Sequence, residues 1–188
     1  MKYKFKYFEE PLKYARFSDE PCDNCGSTNL CLNGTYFDSS EDDIESICLE
    51  CLVKGEIKVE LPSFLVERLH DQIKLKYQHI SSYEIQEKVN RILEELSKTP
   101  PVPWLQFNDW PVCCGDFMRY IGEWGKEEFN FNSHDGNGKE YLFKLLDVSF
   151  QNQIEDFEQF WNEIGEYSIV FVFECMECEK RIAIVQSY

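Results

Sequence analysis

Apolar residues recur at helical spacing through the middle of this chain. Leu65, Leu69 and Ile73, with Lys76, follow Pro62, and Ile85, Val89, Ile92, Leu93 and Leu96 form one stripe after Ser81. A stripe of this period predicts amphipathic helices packed on a core. Ser81 followed three residues later by Glu84 reads as a capping box at the start of the second helix. Thr99-Pro100-Pro101-Val102-Pro103 ends it, because proline cannot continue a helix and restricts the residue before it. A different pattern closes the chain. Tyr167 to Phe173 has the length and, apart from Ser168, the β-branched and aromatic residues expected of a buried central strand, and Arg181 to Tyr188 can return beside it.

The remaining segments read less sharply. Residues 1–20 predict a short strand and an extended lead-in through Pro11 and Leu12. Gly34 to Phe37 reads as a strand, and Asp38 to Asp43 as a solvated turn. Gly122 to Gly138 reads as a surface hairpin or ordered loop, in which Asp135-Gly136-Asn137-Gly138-Lys139 is better explained as a turn than as a phosphate loop. Tyr141 to Leu146 reads as a strand. Phe157, Phe160, Trp161 and Ile164 suggest a short amphipathic helix ended by Gly165.

At 188 residues and 43% hydrophobic, the chain can bury a substantial core. We expect a single compact α+β domain spanning 1–188. Its sub-regions are a first zinc unit over 18–60, a helical segment over 62–98, and a second zinc unit with a sheet over 104–188. No apolar run reaches the ~20 residues of a membrane-spanning helix. The basic N-terminus lacks a secretory core, so a cytoplasmic protein is expected. The formal charge is −16. That disfavours a phosphate-backbone ligand and favours a basic protein partner, or serves solubility alone.

Cysteine supplies the chemistry. Cys22 and Cys25 are answered by Cys48 and Cys51, and Cys113 and Cys114 by Cys175 and Cys178. Two residues between cysteines let one turn present both sulfurs to an ion at about 2.3 Å, the zinc–sulfur distance. In a reducing compartment such pairs point to metal rather than disulfides. The order of knuckle, strand, loop and knuckle in the first set is that of a zinc ribbon or treble clef. Gly26 allows the positive φ that turns amides toward sulfur. The second set is less regular. Glu179 stands where glycine usually follows a knuckle, and the side chains of the adjacent Cys113 and Cys114 diverge unless the backbone turns sharply at Gly115. Two alternatives stay open there: one cysteine with His134 or Asp116, or a vicinal disulfide with a redox role. Cys31 is left over and is expected in the core. Iron is also compatible with closed thiolate sites.

Other chemistry is thin. The three histidines form neither a His-Glu-x-x-His pair nor a deaminase signature, and there is no nucleophile elbow or Walker loop. Structural zinc is therefore expected over catalytic zinc, and a binding protein over an enzyme. The rival readings are a thiol or redox protein using Cys113 and Cys114, and a nucleic-acid-binding ribbon.

The cysteine frame resembles the CbrC family of bacterial proteins. The resemblance runs through Phe5 to Leu12, Cys22 to Gly26, Cys48 to Gly55, the helix end Lys98-Thr99-Pro100, Gln106 to Trp110, Cys114-Gly115-Asp116 with Gly122, and Phe171 to Cys178. Cys113 stands where that family is expected to have histidine, the other common zinc ligand. Met118 stands where it often has cysteine, and Leu49 and Glu50 replace a proline and a tryptophan. The resemblance implies no enzymatic activity. Its named member is associated with tolerance to a nuclease colicin. That agrees with an acidic protein engaging a basic toxin or nuclease, with Asp38, Glu41, Asp42, Asp43 and Glu45 as the candidate surface.

Overall fold

The computed structural model describes residues 3–37 and 44–188. The expected turn at Asp38 to Asp43 lies outside the described residues. The N-terminal segment is not a full strand. It makes a single parallel bridge, Phe8 to Tyr120, and then a helical turn, α1 (Pro11–Tyr14), where an extended lead-in was expected. Pro11 sits at the first helical position, where its missing N–H costs nothing. The first cysteine unit contains a short hairpin, β1 (Cys31–Asn33) with β2 (Ser46–Cys48), and then α2 (Leu49–Lys54). The strand is therefore upstream of Gly34–Tyr36, which forms a 3-10 helix instead. Asn33 explains the change: its side chain accepts the Thr35 N–H at 3.1 Å and caps the turn.

The two predicted central helices are present as α3 (Ser63–Lys76) and α4 (Ser82–Ser97). The Ser81–Glu84 capping box forms as read, with the Glu84 carboxylate accepting the Ser81 N–H at 2.8 Å. Leu65, Leu69 and Ile73 are fully buried, and Ile85, Val89, Ile92 and Leu96 face the same core. A two-residue-per-strand hairpin follows, β3 (Val112–Cys113) with β4 (Asp116–Phe117), and then β5 (Arg119–Glu123).

The next segment departs from expectation. The region read as a surface loop contains α5 (Lys126–Asn132), and the region read as a strand is α6 (Gly138–Leu145). Both starts are capped by side chains. Glu128 accepts the Gly125 N–H at 2.9 Å, and Asn137 accepts the Glu140 N–H at 3.2 Å. A six-residue segment that is apolar except at Lys144 fits helix or strand equally, and the caps decide. Asp135 to Lys139 thus joins two helices rather than two strands. A further helix, α7 (Val148–Gln153), capped by Asp147, was not anticipated, whereas α8 (Phe157–Glu163) was.

β6 (Ser168–Glu174) and β7 (Arg181–Ser187) complete an antiparallel sheet of order β5-β6-β7. Successive side chains of β6 point to opposite faces. Ile169, Phe171 and Phe173 enter a core with α3, α4, Trp104 and Trp110. Val170 and Val172 enter a second core with α5 and α6 and the aromatics of α8. Both faces of the strand are covered, which is why it has no polar alternation. Trp104 stacks on Phe173, with ring centroids 5.7 Å apart and planes 12° from parallel. Along the outer edge of β5, Tyr120 donates to the Tyr7 carbonyl at 2.8 Å and Glu9 donates to the Tyr120 carbonyl at 3.0 Å, so the N-terminal segment covers that edge. No helix among the described residues is long and apolar enough to cross a membrane.

Phe173 is fully buried, while Phe131 is 89% exposed. Phe173→Ala is expected to lower stability by about 3–5 kcal/mol. Phe131→Ala should shift it by no more than about 0.5 kcal/mol. Urea unfolding curves of the two variants check the contrast.

Candidate metal centres

The first centre is built on a tight knuckle. The Cys22 N–H donates to the Ser27 carbonyl at 2.8 Å, and the Gly26 N–H donates back to the Cys22 carbonyl at 2.7 Å. Gly26 takes φ +69°, as its position after the second cysteine predicts. Asp23 fixes this knuckle against the hairpin: its carboxylate accepts the Glu45 and Ser46 N–H groups at 2.8 and 3.0 Å. Strand β2 ends at Cys48, which is also the residue before α2, and Cys51 lies in the first turn of that helix. Knuckle, hairpin and helix together make a treble-clef arrangement. The Asn24 side-chain amide donates to Cys51 Sγ at 3.3 Å and to Glu56 at 2.7 Å.

The second centre uses the same knuckle on a different scaffold. The Cys175 N–H donates to the Lys180 carbonyl at 2.8 Å, and the Glu179 N–H donates to the Cys175 carbonyl at 3.0 Å. These are the bonds of the first knuckle at identical spacing. Glu179 adopts φ +58° where the first knuckle has glycine, so the turn persists at a cost of about 1–2 kcal/mol. The adjacent cysteines are reconciled by the β3–β4 hairpin. Cys113 pairs with Asp116, leaving Cys114 and Gly115 as a two-residue loop with φ +53° and +73°. Positive φ at both positions is the pattern of a type I′ turn. It swings Cys114 back toward the sulfur of Cys113, at 3.8 Å.

Each set gathers its four sulfurs within 4.8 Å of one another. Four sulfurs around one ion at about 2.3 Å would lie ~3.8 Å apart. Cys25 and Cys48 are 3.6 Å apart, and Cys113 and Cys178 are 3.7 Å apart. These distances match the edge of such a tetrahedron and are far longer than a ~2.05 Å disulfide bond. All eight sequence-predicted residues are therefore brought together in two groups that could bind metal ions. Cys31 is in neither group; it is buried and donates to the Ser27 carbonyl. His134 is exposed and outside the second group. Asp116 is also outside it, its carboxylate taken by the Tyr7 hydroxyl at 2.6 Å and the Lys6 ammonium at 2.7 Å. Met118 is fully buried in the main core, and its carbonyl accepts the Trp110 indole N–H.

The thiols are not equivalent. Burial opposes ionisation of Cys22, but backbone N–H groups of Cys48, Cys25 and Asn24 outweigh it and bring its pKa down to about 7. The Lys180 N–H and the neighbouring thiols bring Cys178 down to about 7. Burial pushes Cys48, Cys51 and Cys113 up, and sharing a hydrogen bond with Cys178 pushes Cys114 up. Cys22 is thus poised to ionise near neutrality beside Cys48 and Cys51, which resist it, and Cys178 beside Cys113 and Cys114, which resist it. A cation supplies the charge that removes the remaining protons.

The chain belongs to an uncharacterised protein family, UPF0167. That family's model matches residues 3–187 and so takes in both cysteine groups. No curated protein and no solved structure matches the chain.

Sequence spacing could not supply the supporting groups. Lys6 and Tyr7 reach Asp116 across more than a hundred residues, and the Lys76 ammonium donates to the Cys114 carbonyl at 2.7 Å from the end of α3. Only the Cys-Gly pair at 114 and 115 signalled a sharp turn.

With one ionisable thiol per cluster near neutrality, loading with Zn2+ is expected to release about three protons per ion. Lowering the pH restores those protons and, below about 7, protonates the fourth sulfur as well, so affinity should fall by about a thousandfold per pH unit, steepening towards ten-thousandfold. Competition with a chromophoric chelator across pH measures this. Release of less than one proton per ion would mean that the sulfurs are not the ligands.

Proposed function

We propose that this is a non-enzymatic, cytoplasmic protein stapled by two structural zinc ions, which acts by binding a basic protein partner. The observation that supports the zinc assignment is the gathering of two sets of four sulfurs, each set within 4.8 Å of one another. Four thiolates fill the coordination shell of zinc and leave no open position for water or substrate, unlike catalytic zinc. Cys22, Cys25, Cys48 and Cys51 would hold one ion, and Cys113, Cys114, Cys175 and Cys178 the other. Bound there, zinc supplies cross-links between distant segments rather than Lewis-acid chemistry.

Charge supports the partner assignment. Eight thiolates and two zinc ions take the formal −16 to about −20. Such a protein is matched by a basic surface and repelled by nucleic acid. Membership of this family agrees with the resemblance to the CbrC proteins, and the role we propose from that resemblance is tolerance or immunity toward a basic nuclease toxin. Of the candidate surface, Glu45 is exposed, while Asp38, Glu41, Asp42 and Asp43 lie outside the described residues.

Thiol or redox chemistry at Cys113 and Cys114 is the competing reading. It requires a sulfur free to attack.

Native mass spectrometry of protein purified without chelators is expected to give two zinc ions per chain, with thiols that resist alkylation until metal is removed. One ion, with Cys113 and Cys114 free or oxidised, would overturn the assignment in favour of redox chemistry. For the partner, surface plasmon resonance against basic nuclease domains is expected to give an on-rate that falls with salt. Replacing Asp42 and Asp43 with lysine should lower that rate at low salt by about tenfold or more. Unchanged binding by that variant would remove this surface from the proposal.

A further inference from the structure

A cavity of about 280 Å³ lies between the N-terminal segment, the end of α3 and the outer face of α4, beside the turn at Cys114 and Gly115. Four cations line it: Lys6, Lys76, Lys88 and Arg91. Their convergence is against the grain of a chain with 35 acidic and 19 basic residues. Three carboxylates are also present, Glu95, Asp116 and Glu177. Two of these are already committed, Asp116 to Lys6 and Glu177 to Lys76.

Lys88 and Arg91 are different. Among the described residues neither forms an ion pair, and Lys88 rests over the Tyr77 ring at 4.7 Å. They are three residues apart on α4 and so share one face of it. They do not serve the cysteines. The smaller cavity against the second cysteine group is lined by Lys6, Cys113, Cys114 and Cys175, and neither Lys88 nor Arg91 reaches it. Lys6 lines that cavity and Lys76 holds the Cys114 carbonyl, so both serve the metal centre, whereas Lys88 is engaged only by the Tyr77 ring and the field of Glu84, and Arg91 has no ion pair among the described residues.

We propose that this cavity binds a small phosphate monoester or inorganic phosphate, held by Lys88 and Arg91 with Lys6 and Lys76 on the opposite walls. A tetrahedral dianion can meet cations arriving from three directions at once, and arginine offers it a two-pronged contact. A planar monocarboxylate can satisfy fewer of them. The volume is at the small end for ligand sites, which suits a phosphate with a short organic group. Tyr7 and Tyr77 also line it, the Tyr7 hydroxyl held by Asp116 and the Tyr77 ring lying under Lys76 and Lys88. Because Lys76 also holds the Cys114 carbonyl, the ligand would sit one hydrogen bond from the metal-site turn.

The test is titration of the full-length, metal-loaded protein with inorganic phosphate, glycerol 3-phosphate and succinate at constant ionic strength, followed by protein-observed NMR. Saturable shifts centred on Tyr77, Lys88 and Arg91 are expected with both phosphates. The double variant Lys88→Gln/Arg91→Gln should bind about tenfold or more weakly. Arg91 is exposed and Lys88 half-buried against the Tyr77 ring, and neither lies in a core cluster, so zinc content and circular dichroism should match the parent. Glu95→Gln, which removes the uncommitted carboxylate, should tighten binding by a few-fold. Lys58→Gln, on another face, should leave it unchanged. Absence of saturable shifts at tens of millimolar phosphate, equal affinity in the double variant, or preference for succinate would each overturn the proposal.

Discussion

Both faces of β6 are buried, and the rest of the molecule is arranged to satisfy that constraint. A strand whose side chains alternate between two cores needs a helical layer on each side. Phe171 and Phe173 take α3, α4 and the Trp104 segment as one layer, while Val170 and Val172 take the helices from α5 to α8 as the other. The same strand delivers Cys175 at its end. Its neighbour β5 follows directly on the β3–β4 hairpin that carries Cys113 and Cys114. The second cysteine group is therefore a consequence of sheet register: Arg119 pairs with Glu174, which sets the two turns side by side.

The two centres reach one geometry by different routes. In the first, all four cysteines lie within 30 residues, and a local hairpin and helix suffice to assemble them. In the second, 60 residues lie between the two pairs, and it is the sheet that brings the sulfurs together. Loop closure over that distance has an entropic cost that the sheet and its two cores must offset. A metal ion there would tie the hairpin to the sheet, whereas in the first unit it would supplement a small core around Leu32, Ile47 and Leu52. Small units of that kind are short of buried area, which is where a bound metal contributes most.

Electrostatics divides the surface. The chain is strongly acidic overall, yet the walls between α3, α4 and the N-terminus gather four cations. A charge distribution of this kind permits two separate recognitions, a broad acidic field for a basic macromolecule and a confined basic pocket for a small anion.

Much of this architecture was legible in the residues. The eight metal-ligand candidates, the central helices with their capping box, and the strand pair at the C-terminus follow from spacing, period and cap chemistry, all of which are local. The type of the Tyr141–Leu145 segment was not legible, because a short apolar run is compatible with either period and only the Asn137 cap and packing against the second core decide it. Nor was the strand position near Cys31, where the Asn33 side chain diverts the backbone into a 3-10 turn. The sequence alone determined which sulfurs were available and how they were paired along the chain. Only the tertiary structure decided that Cys113 and Cys114 could share one centre, since this depends on a left-handed turn at Cys114 and on sheet register set 60 residues away. The basic cavity belongs to the same class. Lys6, Lys76, Lys88 and Arg91 carry no common spacing, and their convergence exists only once the helices pack.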